Sequence, residues 1–466
     1  MNQLRTVSVV PVETPSLGDR SYLAHDGEVA FVVDPQRDID RITSLLDELG
    51  VRLTHVFETH IHNDYVTGGL ALAEATGATY VVNADDPVSF ERHGVRDGEV
   101  IEVGSMQVTA LATPGHTFTH LSYALAHDDA SGTPVHVAVF TGGSLLYGAT
   151  GRPDLLGPDH TDTLVHHQHA SAHRLAELLP DATEVFPTHG FGSFCSASQS
   201  DATSSTIGQE RRSNPVLTQD EETYVAELLA GLSAWPAYYA HMAPANLSGP
   251  EAPSLDLPAE ADAAELRRRI EAGEWVVDLR HRTAFAAGHA HGSLNFGIEG
   301  QFATYLGWLM EWGTPLTLLG ESAEQVAEAQ RELVRIGIDR LEAHATGRPE
   351  QWTDGPLASF ETASFADLAQ VRHHREVVVL DVRRADEFGA AHVEGAVNVP
   401  LHALTHSLGD VPAGEVWVHC AAGYRASIAA SLLAAGGRHV VAVDDAFDNA
   451  GAVGLPLVGD DVRASA

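Results

Sequence analysis

Residues near position 280 recur near position 383 in the same order and at one constant spacing. Asp278, Arg280, Phe285, His289, Gly292 and Asn295 return as Asp381, Arg383, Phe388, His392, Gly395 and Asn398, an offset of 103 residues from 278 to 381 and from each member to its partner. A fixed offset across acidic, basic, aromatic, amide and glycine positions means two copies of one folding unit, so both copies must build the same local structure. Around them, short apolar runs alternate with alanine- and leucine-rich stretches such as 263–272 and 324–336, the pattern of an α/β chain. With 466 residues, 44% of them hydrophobic, the chain is long enough for three domains of ordinary size. The expected division is 1–255, 256–357 and 358–466, with a proline-bearing linker over 243–258 and a Ser/Thr-rich surface excursion over 196–213.

The second copy ends in a candidate nucleophile. Val416–His419 reads as an apolar strand that delivers Cys420; Ala421, Ala422, Gly423, Tyr424 and Arg425 then turn into an alanine-rich helix ended by Gly436 and Gly437. A strand, a tight loop and a helix N-terminus surround the sulfur with backbone N–H groups and favour its thiolate. The competing reading, a buried thiol acting as a small hydrophobe, accounts for the cysteine but not for the loop. This loop resembles the rhodanese active loop, Cys-x-x-Gly-x-Arg. The segments Asp381-Val382-Arg383, Glu387-Phe388, His392 and Gly395-Ala396-Val397-Asn398 resemble the rest of that signature. A phosphatase loop would place five residues between cysteine and arginine, and this one has four. The first copy is then rhodanese-like as well, but after its apolar strand it reads Gly320-Glu321-Ser322 and carries no cysteine. It is expected to be a degenerate copy that packs or positions, with Tyr305, Trp308 and Trp312 serving core or interface.

The first 250 residues carry a different signal. His60, His62 and Asp64 follow the apolar run 53–57, and the words Thr113-Pro114-Gly115-His116 and Pro187-Thr188-His189-Gly190 each place another histidine at a glycine or proline turn. In a chain with 27 histidines, one such residue would be unremarked core or surface; three matched loops describe a metal pocket. The set resembles the metallo-β-lactamase superfamily, and Thr-Pro-Gly-His-Thr with Gly151-Arg152-Pro153-Asp154-Leu155 is closest to its glyoxalase II and persulfide dioxygenase branch. The resemblance implies an αββα sandwich followed by two rhodanese-like α/β domains. It departs twice: Tyr65 stands where a second-site histidine is usual, and Gly143 where a metal-binding aspartate is usual. By analogy the ligands of a mononuclear iron site would be His60, His116 and residue 143. With glycine there, His60, His62 and His116, joined by Asp64 and His189, are the expected ligands of one ion, with Fe(II) favoured and Zn(II) compatible.

The fusion implies oxidation of a low-molecular-weight thiol persulfide to sulfite with O2, coupled to transfer of sulfane sulfur, drawn from a persulfide or thiosulfate, by Cys420 with Gly423 and Arg425 around it. The alternatives are a glyoxalase II-like thioester hydrolase with Asp64 as general base, or a metal domain that has lost activity and serves the rhodanese as scaffold. Composition narrows the partners. Net charge is −37, from 27 basic and 64 acidic residues, and no lysine occurs, which argues against nucleic acid or an anionic membrane surface and excludes lysine Schiff-base chemistry. Arg425 and Arg152 are the expected binders of an anionic thiol carrier, Arg211 and Arg212 being surface candidates. Cys195 and Cys420 lie in different modules, so no disulfide is expected and a reducing cytoplasm fits; Cys195 could relay sulfur beside the metal pocket or be an inert buried thiol. No secretory signal or membrane-spanning run is read, and domains of these kinds lead us to expect a homo-oligomer.

Overall fold

The computed structural model describes residues 7–460 apart from 130, 199 and 201. The chain forms two compact units, Met1–Pro253 with Val334–Gly337, and Ser254–Leu333 with Ile338–Ala466.

The first unit is built on two six-stranded sheets. One runs in the order Ser8–Thr14, Asp19–His25, Val29–Val33, Arg52–Phe57, Thr79–Asn83, His93–Val95; the other runs Ser205–Thr206, Glu184–Pro187, Pro134–Gly142, Leu121–Asp128, Met106–Ala112, Val100–Val103. Strand alternation decides which side chain meets which layer. Tyr22, Ala24, Phe31, Val33 and Phe57 point between the sheets and meet Val108, Tyr123, Leu125 and Phe140. Their neighbours Leu23, Val32, Leu53 and Val56 point outward to Ile42 and Leu46 of the helix Asp40–Leu49 and Leu72 of Gly69–Thr76. On the other side, Leu111, Ala124 and Val139 pack against Val165, Ala172 and Leu175 of the 21-residue helix Pro158–Leu178. The result is the αββα sandwich expected. Each fully buried aromatic or aliphatic side chain contributes about 1.5–3 kcal/mol by leaving water, so the layers hold the loops at their sheet edges firmly.

Two segments differ from the sequence reading. The proposed linker begins as a helix, Tyr239–Ser248, with Pro244 inside it; buried Asn246 holds it by donating to the His62 and Tyr65 carbonyls and accepting from Thr67 N–H, each at 2.9 Å. The Ser/Thr-rich stretch contains the helix Ile207–Ser213, started by a capping box between Thr206 and Gln209.

The second unit carries two parallel sheets. The first, in the order Leu294–Asn295, Trp275–Asp278, Leu316–Gly320, Ala343–Thr346, belongs to the first repeat. The second, in the order Glu361–Ala363, Val440–Val443, Val416–His419, Val378–Asp381, Val397–Asn398, belongs to the second. The repeated residues turn out to be the internal bonds of this unit. Arg280 pairs with Asp278 and Arg383 with Asp381, each at 2.6 Å; the His289 and His392 Nδ1–H groups each donate 2.8 Å to the carbonyl of Phe285 or Phe388 and stack on that ring. Asn295 and Asn398 each donate to two carbonyls at the matching strand end. Trp308 stacks on His402 at 4.8 Å, a packing role as expected. No helix among the described residues is long and apolar enough to cross a membrane.

Candidate metal centre and sulfur-transfer loop

The strand Arg52–Phe57 ends at the rim of the sandwich, and the loop after it carries His60, His62 and Asp64 into the interior, where all three are buried. His116 and His189 arrive from loops after Met106–Ala112 and Glu184–Pro187 and are fully buried. His60, His116 and His189 converge, with one ring nitrogen of each lying within 4.8 Å of the others, and His60 Nε2 stands 3.4 Å from His189 Nε2.

Their hydrogen bonds fix which nitrogen faces inward. The backbone carbonyl of Arg152 can only accept, so His116 Nδ1 donates to it at 2.8 Å, and His116 Nε2 is left buried without a hydrogen-bond partner. His60 Nδ1 lies 2.9 Å from Thr59 Oγ1, whose proton goes to Asp34 Oδ2 at 2.7 Å, so the hydroxyl accepts from the ring. His189 Nδ1 donates to Asp19 Oδ1 at 2.9 Å. Three rings are therefore held by their Nδ1–H groups and present Nε2 lone pairs to one point. Burial, and then the neighbouring imidazoles, keep His60 and His116 well below the usual histidine range, and burial lowers His189, so all three are neutral. Neutral rings with backed Nδ1 are what a metal ion requires of histidine. The donor set fits one ion with positions left open.

His62, expected among the ligands, has Nδ1 buried without a hydrogen-bond partner, while its other ring nitrogen is engaged. Its Nε2 lies 2.9 Å from Tyr65 Oη, 3.2 Å from Glu58 Oε2 and 3.3 Å from Asp34 Oδ1. Burial alone would lower it, but Asp34 and then Glu58 override burial and raise it to about 10, while burial raises Glu58 itself to about 7. The Tyr65 ring stacks on it at 4.2 Å. The residue that departs from the family pattern thus occupies the second-site position with a phenol already bonded inside the protein. Asp64 comes to 3.2 Å from His189 Nδ1 and joins His62 and His189 in a second convergent group; a third joins Asp34, Glu58 and His62. Burial and its neighbour Asp19 raise Asp64 to about 6, and burial raises Asp19 to about 7.

Gly143 is explained by His116. A Cβ at 143 would lie 2.4 Å from His116 Cδ2 and 2.7 Å from Cγ, so the ring occupies the space a side chain would need. The space a side chain at 143 would need is filled by His116, and His189 is the third histidine that converges with His60 and His116.

Several supporting residues were not singled out from the sequence. Buried His120 stacks on His60 at 5.0 Å and accepts the Gly143 N–H at 3.0 Å through Nε2; its spacing of four from His116 was the available signal. Asp34, in the left-handed region at φ 51°, accepts from Thr59 N–H and hydroxyl and from the Thr188 hydroxyl, tying two ligand loops together. Arg152 is buried, with its guanidinium on Asp154, the Phe194 carbonyl and the Ser233 carbonyl; its service to the pocket is the carbonyl that orients His116, not anion binding. Cys195 is fully buried, and burial, then Asp64 and Asp19, push its thiol well up, which disfavours a thiolate relay. Arg211 pairs with Asp181 at the surface.

In the second unit, the strand Val416–His419 lies between Val378–Asp381 and Val440–Val443 and places Cys420 at its end, 2% exposed. Gly423, at φ +92°, donates its N–H to Cys420 Sγ at 3.1 Å, and the helix Tyr424–Ala435 starts at the next residue. Arg425 makes a two-pronged pair with Glu387 at 2.7 and 2.8 Å. The first repeat has a strand and a helix at matching places, Leu316–Gly320 and Ala323–Arg335, but no sulfur between them.

Over 211 residues the chain is 31% identical to the human protein "Persulfide dioxygenase ETHE1, mitochondrial", covering 45% of this chain and 72% of that one. The chain belongs to the ETHE1 family. This ETHE1-family chain also matches the rhodanese-like domain family over residues 364–450, so it is a fusion of a metallo-β-lactamase fold with a rhodanese domain. The solved metallo-β-lactamase of Staphylococcus aureus subsp. aureus COL aligns with a TM-score of 0.65 at 27% identity, over 73% of this chain and 99% of that one. A hydroxyacylglutathione hydrolase of Rhodopseudomonas palustris (strain HaA2) is 34% identical over 130 residues, 27% of this chain and 49% of its own length. These relatives and the convergent groups together indicate a metal ion in the pocket of this ETHE1-family member.

Proposed function

We propose that this protein is an enzyme of sulfur metabolism that oxidises a low-molecular-weight thiol persulfide to sulfite at a mononuclear metal site and moves sulfane sulfur through Cys420. The observation that carries the reading is the division of the pocket: one ring nitrogen each of His60, His116 and His189 converging on one point, and beside them Tyr65 at the second-site position with its Oη 2.9 Å from His62 Nε2. A dinuclear hydrolase needs a bridging carboxylate and a second set of ligands. Here Gly143 supplies no bridging carboxylate, and Tyr65 stands at the second-site position with its hydroxyl on His62 Nε2. This favours oxidation over the thioester hydrolysis of the glyoxalase II relatives.

His60, His116 and His189 would hold the ion. Fe(II) is the favoured occupant because it supplies O2 activation, whereas Zn(II) would supply Lewis acidity alone. The reaction balances as persulfide anion plus O2 plus water giving thiolate, sulfite and two protons. The chain's own part is to orient the rings through Arg152 O, Asp19 and Thr59, and to keep Asp64 and Asp19 beside His189 as proton-accepting groups. At the other site the Cys420 thiolate attacks the outer sulfur of thiosulfate or a persulfide, the S–S bond breaks, and sulfite or thiolate leaves; an acceptor thiolate then removes the sulfur and regenerates Cys420. The Gly423 N–H supports the charge on Sγ.

The test is O2 uptake and sulfite formation by iron-loaded protein given glutathione persulfide as probe. Persulfide-dependent uptake supports the reading. Thioester hydrolysis without uptake would favour the hydrolase, and neither activity beside an intact Cys420-dependent transfer would leave the metal domain a scaffold.

A further inference from the structure

The cysteine-less repeat reaches the sulfur-transfer loop of the second repeat. Gly423 sits in the left-handed region, and a Cβ there would lie 2.1 Å from Asp444 Oδ1 and 3.0 Å from Arg282 Nε. The Asp444 carboxylate and the Arg282 guanidinium therefore close directly over the turn whose N–H points at Cys420 Sγ. Arg282 Nε pairs with Asp444 Oδ1 at 2.7 Å, and both side chains are about three-quarters buried, at 24% and 22% exposed. Arg282 belongs to the first repeat, on the short helix Arg282–Ala287.

The same repeat grips the helix that follows the turn. Tyr424 Oη donates to the Gly297 carbonyl at 2.9 Å, and Ser427 Oγ donates to Asn295 Oδ1 at 2.7 Å in a buried contact. Tyr305 lies with its ring 6.1 Å from that of Tyr424, and its raised pKa, due first to burial, is also influenced by Arg425 and Cys420. A glycine in the left-handed region has many alternatives when unconstrained, so an amide aimed at sulfur must be held by its surroundings.

We propose that Arg282 is a positioning residue: through Asp444 it holds the Gly423 N–H on Cys420 Sγ, which makes the cysteine-less repeat part of the sulfur-transfer apparatus rather than a spacer. The inference deepens the sulfurtransferase half of the proposed function and rests on it. It adds no bond-making step; it acts on the charge that Cys420 carries during sulfur uptake and release. A short hydrogen bond to an anionic group is among the stronger ones, so losing its alignment should slow both half-reactions.

The experiment compares Arg282→Met, Arg282→Lys, Asp444→Asn and the Met/Asn double variant in the full chain, with thiosulfate as donor and cyanide as acceptor. Arg282→Met is expected to lower kcat about tenfold, with KM for thiosulfate changed by less than about threefold. Asp444→Asn should match it, the double variant should be no worse than either single, and Arg282→Lys should recover most of the loss. The rate of iodoacetamide modification of the Cys420 peptide should fall in parallel. Unchanged kcat and alkylation in Arg282→Met, additive losses in the double variant, or a change in KM alone would overturn the proposal. A wild-type protein inactive toward thiosulfate would instead sink the sulfurtransferase reading, and the alkylation series would still decide the role of Arg282.

Discussion

Replacing Gly143 by aspartate restores the residue that the wider family uses as a metal ligand, yet the structure predicts a loss of metal, not a gain. A Cβ at this position would come within 2.4 Å of His116 Cδ2 and 3.0 Å of its Nε2. Carbon atoms pack best near 3.5–4.0 Å, so the overlap exceeds about 1 Å before any carboxylate is added. The ring cannot retreat freely, because Nδ1 is tied to the Arg152 carbonyl at 2.8 Å and His116 is fully enclosed. Overpacking of this kind costs about 1–3 kcal/mol, and the carboxylate adds a further burial cost unless it binds the ion. Gly143→Ala isolates the steric part: it should lower stability by about 1–3 kcal/mol and, by displacing one of three ligands, weaken metal binding about tenfold or more, 1.4 kcal/mol being one decade. The assay is cobalt titration followed by its visible absorption, alongside urea denaturation of the metal-free forms. If Gly143→Asp bound cobalt more tightly than wild type without loss of stability, the three-histidine assignment would be refuted and the pocket would be an ordinary family site with one ligand deleted.

Other perturbations probe different parts of the account. Asn246→Ala removes partners from the His62 and Tyr65 carbonyls and the Thr67 N–H, and should cost about 2–4 kcal/mol in urea denaturation, with weaker cobalt binding because the ligand loop loosens. Cys420→Ala should abolish thiosulfate-dependent sulfur transfer while leaving metal content unchanged, whereas Cys195→Ala should leave transfer within about twofold, since burial keeps that sulfur protonated. His289 is lowered to about 4, first by burial, although its bond to the Phe285 carbonyl acts in the opposite sense. The unfolded chain binds more protons than the folded one between that value and the ordinary 6.5, so His289 leaves stability intact above about pH 6.5 and lowers it by up to about 3 kcal/mol as pH falls toward 4. Denaturation midpoints across this range should fall less steeply in His289→Gln than in wild type.

Much of the architecture was legible because the two repeats keep the same local bonds. Asp278 and Asp381, His289 and His392, and Asn295 and Asn398 are repeated because each closes a strand end or a turn, and such short-range bonds leave a periodic trace in the chain. Alternation in 22–24 and 31–33 likewise separates the inter-sheet face from the helix face. The pocket was legible as a set of loops but not as a set of atoms. Spacing cannot say that His60 turns Nε2 toward His189 while His62 turns Nε2 toward Asp34 and Glu58; that choice is made by Thr59, Tyr65 and the carboxylates of Glu58 and the distant Asp34. Asp19 supports His189 from 170 positions away, and Asn246 supports the His62 loop from 184. Neither has a local word to mark it. Pro244 read as a break for a similar reason: the helix around it persists on contacts that Asn246 makes far along the chain.

The oxidation proposed for this pocket requires one ion on His60, His116 and His189. Metal analysis of protein purified without oxygen, with X-ray absorption at the bound metal's edge for wild type and His189→Ala, tests it most directly. About one ion per chain with three imidazoles in its shell is expected, with loss of one imidazole together with much of the metal in His189→Ala. Two ions per chain, or a wild-type shell that His189→Ala leaves unchanged, would contradict it.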